Sequence, residues 1–244
     1  MVGDEVTSLY SPRFRKGRSE TPHVVSYFFY GLLTRLLPVL AAVFAFAAAA
    51  HGQAIVEGTV QLPAQPANTV LNQRYQAAGG TVAAPEPPTA VVYLEGTFPA
   101  AATNTTVQMG QKNLQFASGL LPIQKGTMVA FPNQDEVYHN VFSYSKTKRF
   151  DLGRYRKEDK PATQTFDKPG AVKLFCEIHE HMRATILVLD TPHFVKTDAT
   201  GKYRLANLPP GKYTLKAWLN DKLTLEKPVE LKAGETTRVD FPGK

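Results

Sequence analysis

Cys176-Glu177-Ile178-His179-Glu180-His181-Met182 lies between two mostly apolar runs, Val172-Lys173-Leu174-Phe175 and Thr185-Ile186-Leu187-Val188-Leu189. The flanks are short, apolar and rich in β-branched residues and read as strands, so the seven residues form the loop that joins them. A thiolate, an imidazole three residues on and a thioether three further supply three of the four donors of a blue-copper electron-transfer site. The missing donor is a second imidazole from elsewhere in the chain. His139, in Phe131-Pro132-Asn133-Gln134-Asp135-Glu136-Val137-Tyr138-His139-Asn140-Val141-Phe142, is the candidate.

Taken singly, each residue has a plainer reading. Cys176, the only cysteine in 244 residues, could be a buried structural thiol, and Met182 could be core filler. A lone histidine is usually hydrogen-bonded or solvent-facing. The combination favours ligation by His139, Cys176, His179 and Met182. His181 is a candidate alternative ligand, its other readings being a solvent-facing side chain or a contact at the mouth of the site.

The N-terminus bears on the cysteine. A basic stretch with Arg13, Arg15, Lys16 and Arg18 precedes an apolar run that is interrupted by Arg35 and uniformly apolar from Leu36 to Ala50 apart from Pro38. That core is shorter than the roughly 20 residues of a membrane span. With small residues around Ala50-His51-Gly52, residues 1–52 read as a secretory signal with an N-terminal extension, and the expected location is the periplasm. The rival reading is an uncleaved signal anchor, and only then is a membrane a partner. Exported proteins use cysteine mainly in pairs, so one unpaired thiol points to burial or a metal. Without residues 1–52 the chain holds 23 basic and 18 acidic residues, a modest excess. Nucleic acid is not an expected partner.

From Gln53 onward the sequence consists of short alternating runs broken by Gly, Pro and Asn, with no sustained helical period, which predicts an all-β chain. In Lys212-Tyr213-Thr214-Leu215-Lys216-Ala217-Trp218 the residues Tyr213, Leu215 and Ala217 share one face. The interval from Pro63 to Pro88, with Gly79-Gly80 and Pro85-Glu86-Pro87-Pro88, reads as a loop or linker.

Two family resemblances follow from these residues. Val107-Gln108-Met109-Gly110, the segment Leu121 to Asn133 with its Gly126 turn, His139-Asn140-Val141 and the loop from Cys176 to Met182 resemble a cupredoxin, a Greek-key β-sandwich. The loop spacing, followed by Arg183 and a strand, is most similar to the amicyanin branch. Ile178 and Glu180 stand where that branch has prolines, so loop rigidity is expected to differ. Phe194 to Asp198, Gly201-Lys202-Tyr203, Leu208-Pro209-Pro210-Gly211-Lys212-Tyr213 and Trp218 resemble a carboxypeptidase-regulatory-like, transthyretin-like sandwich, smaller than the first. Residues 191–244 are too few to close such a sandwich. Glu57-Gly58-Thr59-Val60 and Ala90 to Leu94 suit its first strands. The expected organisation is therefore a copper domain at 104–190 inserted into a discontinuous sandwich of 53–103 and 191–244.

The cupredoxin resemblance implies one copper, a hydrogen-bonding role for Asn140 across to the cysteine loop, and a redox protein partner of the cytochrome or quinoprotein dehydrogenase type. Lys146, Lys148, Arg149, Arg154, Arg156 and Lys157 form a candidate docking surface for an acidic partner, or a solvated loop. No nucleophile motif, paired-carboxylate signature or nucleotide loop stands out, so an electron carrier is expected rather than an enzyme. The alternatives are a copper chaperone or storage protein, and an envelope interaction protein that does not transfer electrons.

Overall fold

The structure, a computed structural model, describes residues 53–64, 86–96, 98 and 106–243. The leader reading of residues 1–52 and most of the linker reading fall outside them. All regular structure is strand: β1 (Ala54–Thr59), β2 (Val91–Glu95), β3 (Thr106–Gln108), β4 (Gln111–Lys112), β5 (Gln115–Phe116), β6 (Leu120–Gln124), β7 (Met128–Phe131), β8 (His139–Tyr144), β9 (Arg149–Tyr155), β10 (Ala162–Thr165), β11 (Gly170–Phe175), β12 (Arg183–Leu189), β13 (Phe194–Lys196), β14 (Lys202–Leu208), β15 (Gly211–Asn220), β16 (Leu223–Leu231) and β17 (Thr236–Arg238). No helix among the described residues is long and apolar enough to cross a membrane.

The central part of the chain builds one sandwich. A five-stranded sheet in the order β6-β12-β11-β8-β9 faces a three-stranded sheet, β10-β7-β3, with the β4-β5 hairpin at one end. β6 runs parallel to β12, and β3 parallel to β7, as long crossovers require. Inward side chains such as Phe131, Val141, Phe166, Leu174 and Ile186 form its core, which also contains Cys176 and Met182. Putting Cys176 and Met182 inside this core shields both side chains from water.

The second sandwich pairs segments from both ends of the described chain. β1 lies between β14 and β17, and β2 lies between β13 and β15, with β16 at the edge. Val92 is opposite Ala217 and Val195, and Val60 bridges to Phe241. Its core includes Val56, Val92, Leu94, Leu215 and Ala217. Tyr213 packs against it, partly buried. Pro228 sits in β16, the edge strand of this sheet, where a residue without an N–H is tolerated. The turn before β14 closes at Gly201, whose φ of +83° and 2.8 Å bond from the Val60 amide to its carbonyl suit a residue without Cβ. An added Cβ there would lie 2.0 Å from the Val60 oxygen.

Strand β12 explains how the sandwiches meet. Six of its seven residues are buried, whereas a strand with one solvated face alternates. Ala184, Ile186 and Val188 enter the core that contains Cys176. Leu187 and Leu189 point the other way and pack with Leu120, Val91 and Trp218. β15 is likewise two-faced, with Leu215 and Ala217 in one core and Trp218 in this seam. Polar contacts edge the seam: the Gly119 amide donates to Glu86 at 2.9 Å, Lys196 donates to Ser118 at 2.9 Å, and Lys173 pairs with Asp221 at 3.0 Å.

Candidate metal centre

His139 opens β8, and Cys176 follows the last residue of β11. Phe175 is opposite Phe142 in that pair of strands, so sheet pairing brings the histidine and the thiol to one end of the sandwich. His179 comes from the turn after Cys176, which closes through a 2.9 Å bond from the Met182 amide to the His179 carbonyl. The ligating atoms of His139, Cys176 and His179 lie within 4.8 Å of one another. Cys176 Sγ is 3.8 Å from His179 Nδ1, and the two imidazole rings are 4.9 Å apart. Among the described residues this is the one group of His, Cys, Asp and Glu side chains close enough to hold a metal. Met182 is 1% exposed and shares the core with Cys176.

The protonation pattern suits a cation. Burial alone would raise the Cys176 thiol, but His139, His179 and the Asn140 and His179 amides outweigh it and hold it at about 5. His139 is fully buried, and its Nε2–H donates to Asp135 Oδ2 at 2.9 Å. Its Nδ1 is buried beside the Cys176 thiol with no hydrogen-bond partner of ordinary geometry. A buried orphan nitrogen is costly, and a metal beside Cys176 would satisfy it. One thiolate and two imidazoles are compatible with copper binding.

Sequence reasoning gave Asp135 no role. Its carboxylate accepts from the Asn113 amide at 2.7 Å, from the Leu114 amide at 2.9 Å and from His139. Burial works against its charge, yet these donors hold its pKa below the usual value. Asn113 and Leu114 have φ of 54° and 57°, so the carboxylate also fixes a left-handed turn in the β4-β5 hairpin. His181 meets the same turn, with Nε2 2.8 Å from the Leu114 carbonyl. It lies outside the three-residue group and serves the turn over the site. An acid four residues before a candidate ligand, in a loop rather than a helix, was the available signal.

The Asn140 side chain reaches toward the cysteine loop. Its Oδ1 is 3.4 Å from the Glu177 amide, a long hydrogen bond, while its Nδ2 donates to Asp151 at 2.7 Å and to Gly153 at 3.1 Å. The basic residues contiguous in sequence are split in space. Lys146, Lys148 and Arg149 lie at the turn between β8 and β9. Arg154, Arg156 and Lys157 lie at the metal end, because Asn140 is opposite Arg154 and His139 opposite Tyr155. Five residues of strand separate the groups by about 15 Å. Arg154 pairs with Glu177 at 2.7 Å, Lys157 pairs with Glu136 at 2.5 Å, and Arg156 covers the Tyr138 ring at 4.3 Å. One patch of six charges therefore does not exist.

The description "carboxypeptidase regulatory-like domain" matches residues 182–242. This range runs from Met182 through the C-terminal strands and includes β12, which pairs within the five-stranded sheet that holds His139. The sequence matches no curated protein. Solved structures similar to part of the chain include a reduced Cu(I) amicyanin variant at pH 4, 19% identical with a TM-score of 0.32, and a second Cu(I) amicyanin variant, 18% identical with the same score. Each match covers 40% of this chain and 98% of the other.

Proposed function

We propose that the chain is an exported, non-enzymatic carrier of single electrons, with copper held by His139, Cys176 and His179 and a weak axial contact from Met182. The observation that supports this is the convergence of one lowered thiol and two imidazoles at a buried orphan nitrogen. Bound there, copper would supply reversible Cu(I)/Cu(II) exchange in a set that suits both states. The protein's own residues keep that set fixed. Asp135 orients His139, and Asn140 ties the two ligand segments together. His179 is the partly exposed member of the group, near exposed Ile178, and Val137 and Tyr138 beside His139 are exposed too. Such an apolar rim suits brief docking of a redox protein, of cytochrome or quinoprotein dehydrogenase type.

Loading the purified protein with Cu(II) tests the reading. The expected result is an intense visible thiolate-to-copper band that bleaches on reduction, returns on oxidation and is absent in Cys176→Ser. A colourless, tightly bound copper would instead indicate storage or delivery.

A further inference from the structure

Beside the seam where Trp218 meets Leu187 and Leu189, the sandwiches border an open cleft of about 820 Å3. Tyr93, Glu95, Lys173, Trp218 and Asp221 line it, with Lys146 from the β8–β9 turn. That volume is in the upper part of the range of about 300–1,000 Å3 for small-molecule sites, which favour domain interfaces. The cleft involves none of the four proposed copper ligands.

Charge narrows the occupant. Each carboxylate in the wall already has a lysine: Glu95 with Lys216 at 2.5 Å, Asp190 with Lys125 at 2.7 Å and Asp221 with Lys173 at 3.0 Å. Lys146 is exposed, where solvent screens it. A charged ligand would gain little without breaking an ion pair. A wholly apolar one would strip water from carboxylates and ammoniums without replacing their hydrogen bonds. A ligand with many hydroxyls and an apolar face fits both demands. The hydroxyls reach the spare lone pairs and N–H groups of the ion pairs, while the partly buried Tyr93 ring and the Trp218 edge receive C–H surface. We propose that the cleft between the two sandwiches binds a neutral oligosaccharide.

Trp218 is the only tryptophan of the chain, so its emission reports on this cleft directly. The full chain is titrated with maltotetraose, cellotetraose and chitotetraose. The expected result is a saturable emission change with at least one of them below about 10 mM, the weak end of specific affinity. Cys176→Ser should bind equally well, Tyr93→Phe should stay within about threefold, and Tyr93→Ala and Asp221→Ala should each weaken binding about tenfold or more. Calorimetry on Trp218→Phe gives a second readout, and circular dichroism checks that each variant folds. No saturable change with any of the three sugars would overturn the proposal. So would undiminished binding by Tyr93→Ala, or tighter binding of an acidic oligosaccharide or a peptide.

Discussion

Asp135 joins three features with one carboxylate: the Nε2–H of His139 and the amides of the left-handed residues Asn113 and Leu114. Holding Nε2 protonated leaves Nδ1 as the lone-pair donor, which is the atom beside the Cys176 thiol with no hydrogen-bond partner of ordinary geometry. Asp135→Asn keeps the size but loses the charge and one of the acceptor oxygens. Metal affinity should fall by about 10–100-fold, the usual cost of losing an outer partner of a ligating histidine. Competition against a chelator of known affinity measures it. Wild-type affinity in the variant would show that the ring is held by packing alone. His181 shows why residue type alone misleads at this scale. It stands between the proposed ligands His179 and Met182, yet its ring nitrogen contacts the Leu114 carbonyl.

At the scale of elements, the ends of strands carry much of the polar work. Asp240 follows β17 and accepts from the amide and hydroxyl of Thr59, both at 2.8 Å, and from Arg238 at 3.0 Å. These bonds tie the end of β1 to the strand beside it, and they hold the Asp240 carboxyl below its ordinary value of 3.8. A lowered folded pKa stabilises the fold fully above the unfolded value and loses that effect as pH falls through the folded one. Asp240→Ala should therefore melt at a lower temperature than wild type at pH 7. The gap should close on acidification below about pH 4. Thermal scans at several pH values check this, and a gap that widens in acid would reverse the assignment. β12 makes the complementary point. Ile186 to Leu189 is an uninterrupted apolar run, a pattern that belongs to strands buried on both faces. That signal for a second packed layer was present in the sequence, but a run of this kind does not name the partner.

For the whole molecule, the seam decides whether the two sandwiches behave as one body. Leu187, 4% exposed, packs with Leu120, Val91 and Trp218. Leu187→Ala removes buried methyl groups and should cost about 2–4 kcal/mol. Denaturant unfolding followed by Trp218 emission and by far-ultraviolet circular dichroism should coincide in the wild type. In the variant, the emission change should come first, because the tryptophan sits at the weakened contact. Coincident curves in both would mean that the seam contributes no separate cooperativity. The split of basic residues has its own consequence at this scale. Arg154 and Lys157 are paired beside the proposed copper mouth, and Lys146, Lys148 and Arg149 lie about 15 Å away. Electron exchange through His179 should thus depend weakly on ionic strength and fall when Ile178, 37% exposed, becomes Lys. Stopped-flow rates against an acidic redox protein at two salt concentrations measure both effects. A steep salt dependence, removed by neutralising Lys146, Lys148 and Arg149, would place docking at the turn end instead.

The sequence by itself determined the all-β class and set Cys176, His179 and Met182 on one loop as candidate donors. Strand alternation has a period of two, and the loop donors are joined by only a few covalent bonds, so local order suffices. Tertiary structure alone decided what lies near what. Sheet pairing brought His139 to Cys176 across 37 residues and Asp135 to the Asn113–Leu114 turn. It separated six neighbouring cations and closed the seam around Trp218. Those contacts depend on strand order and register, which follow from burying every apolar face at once rather than from any short stretch of chain.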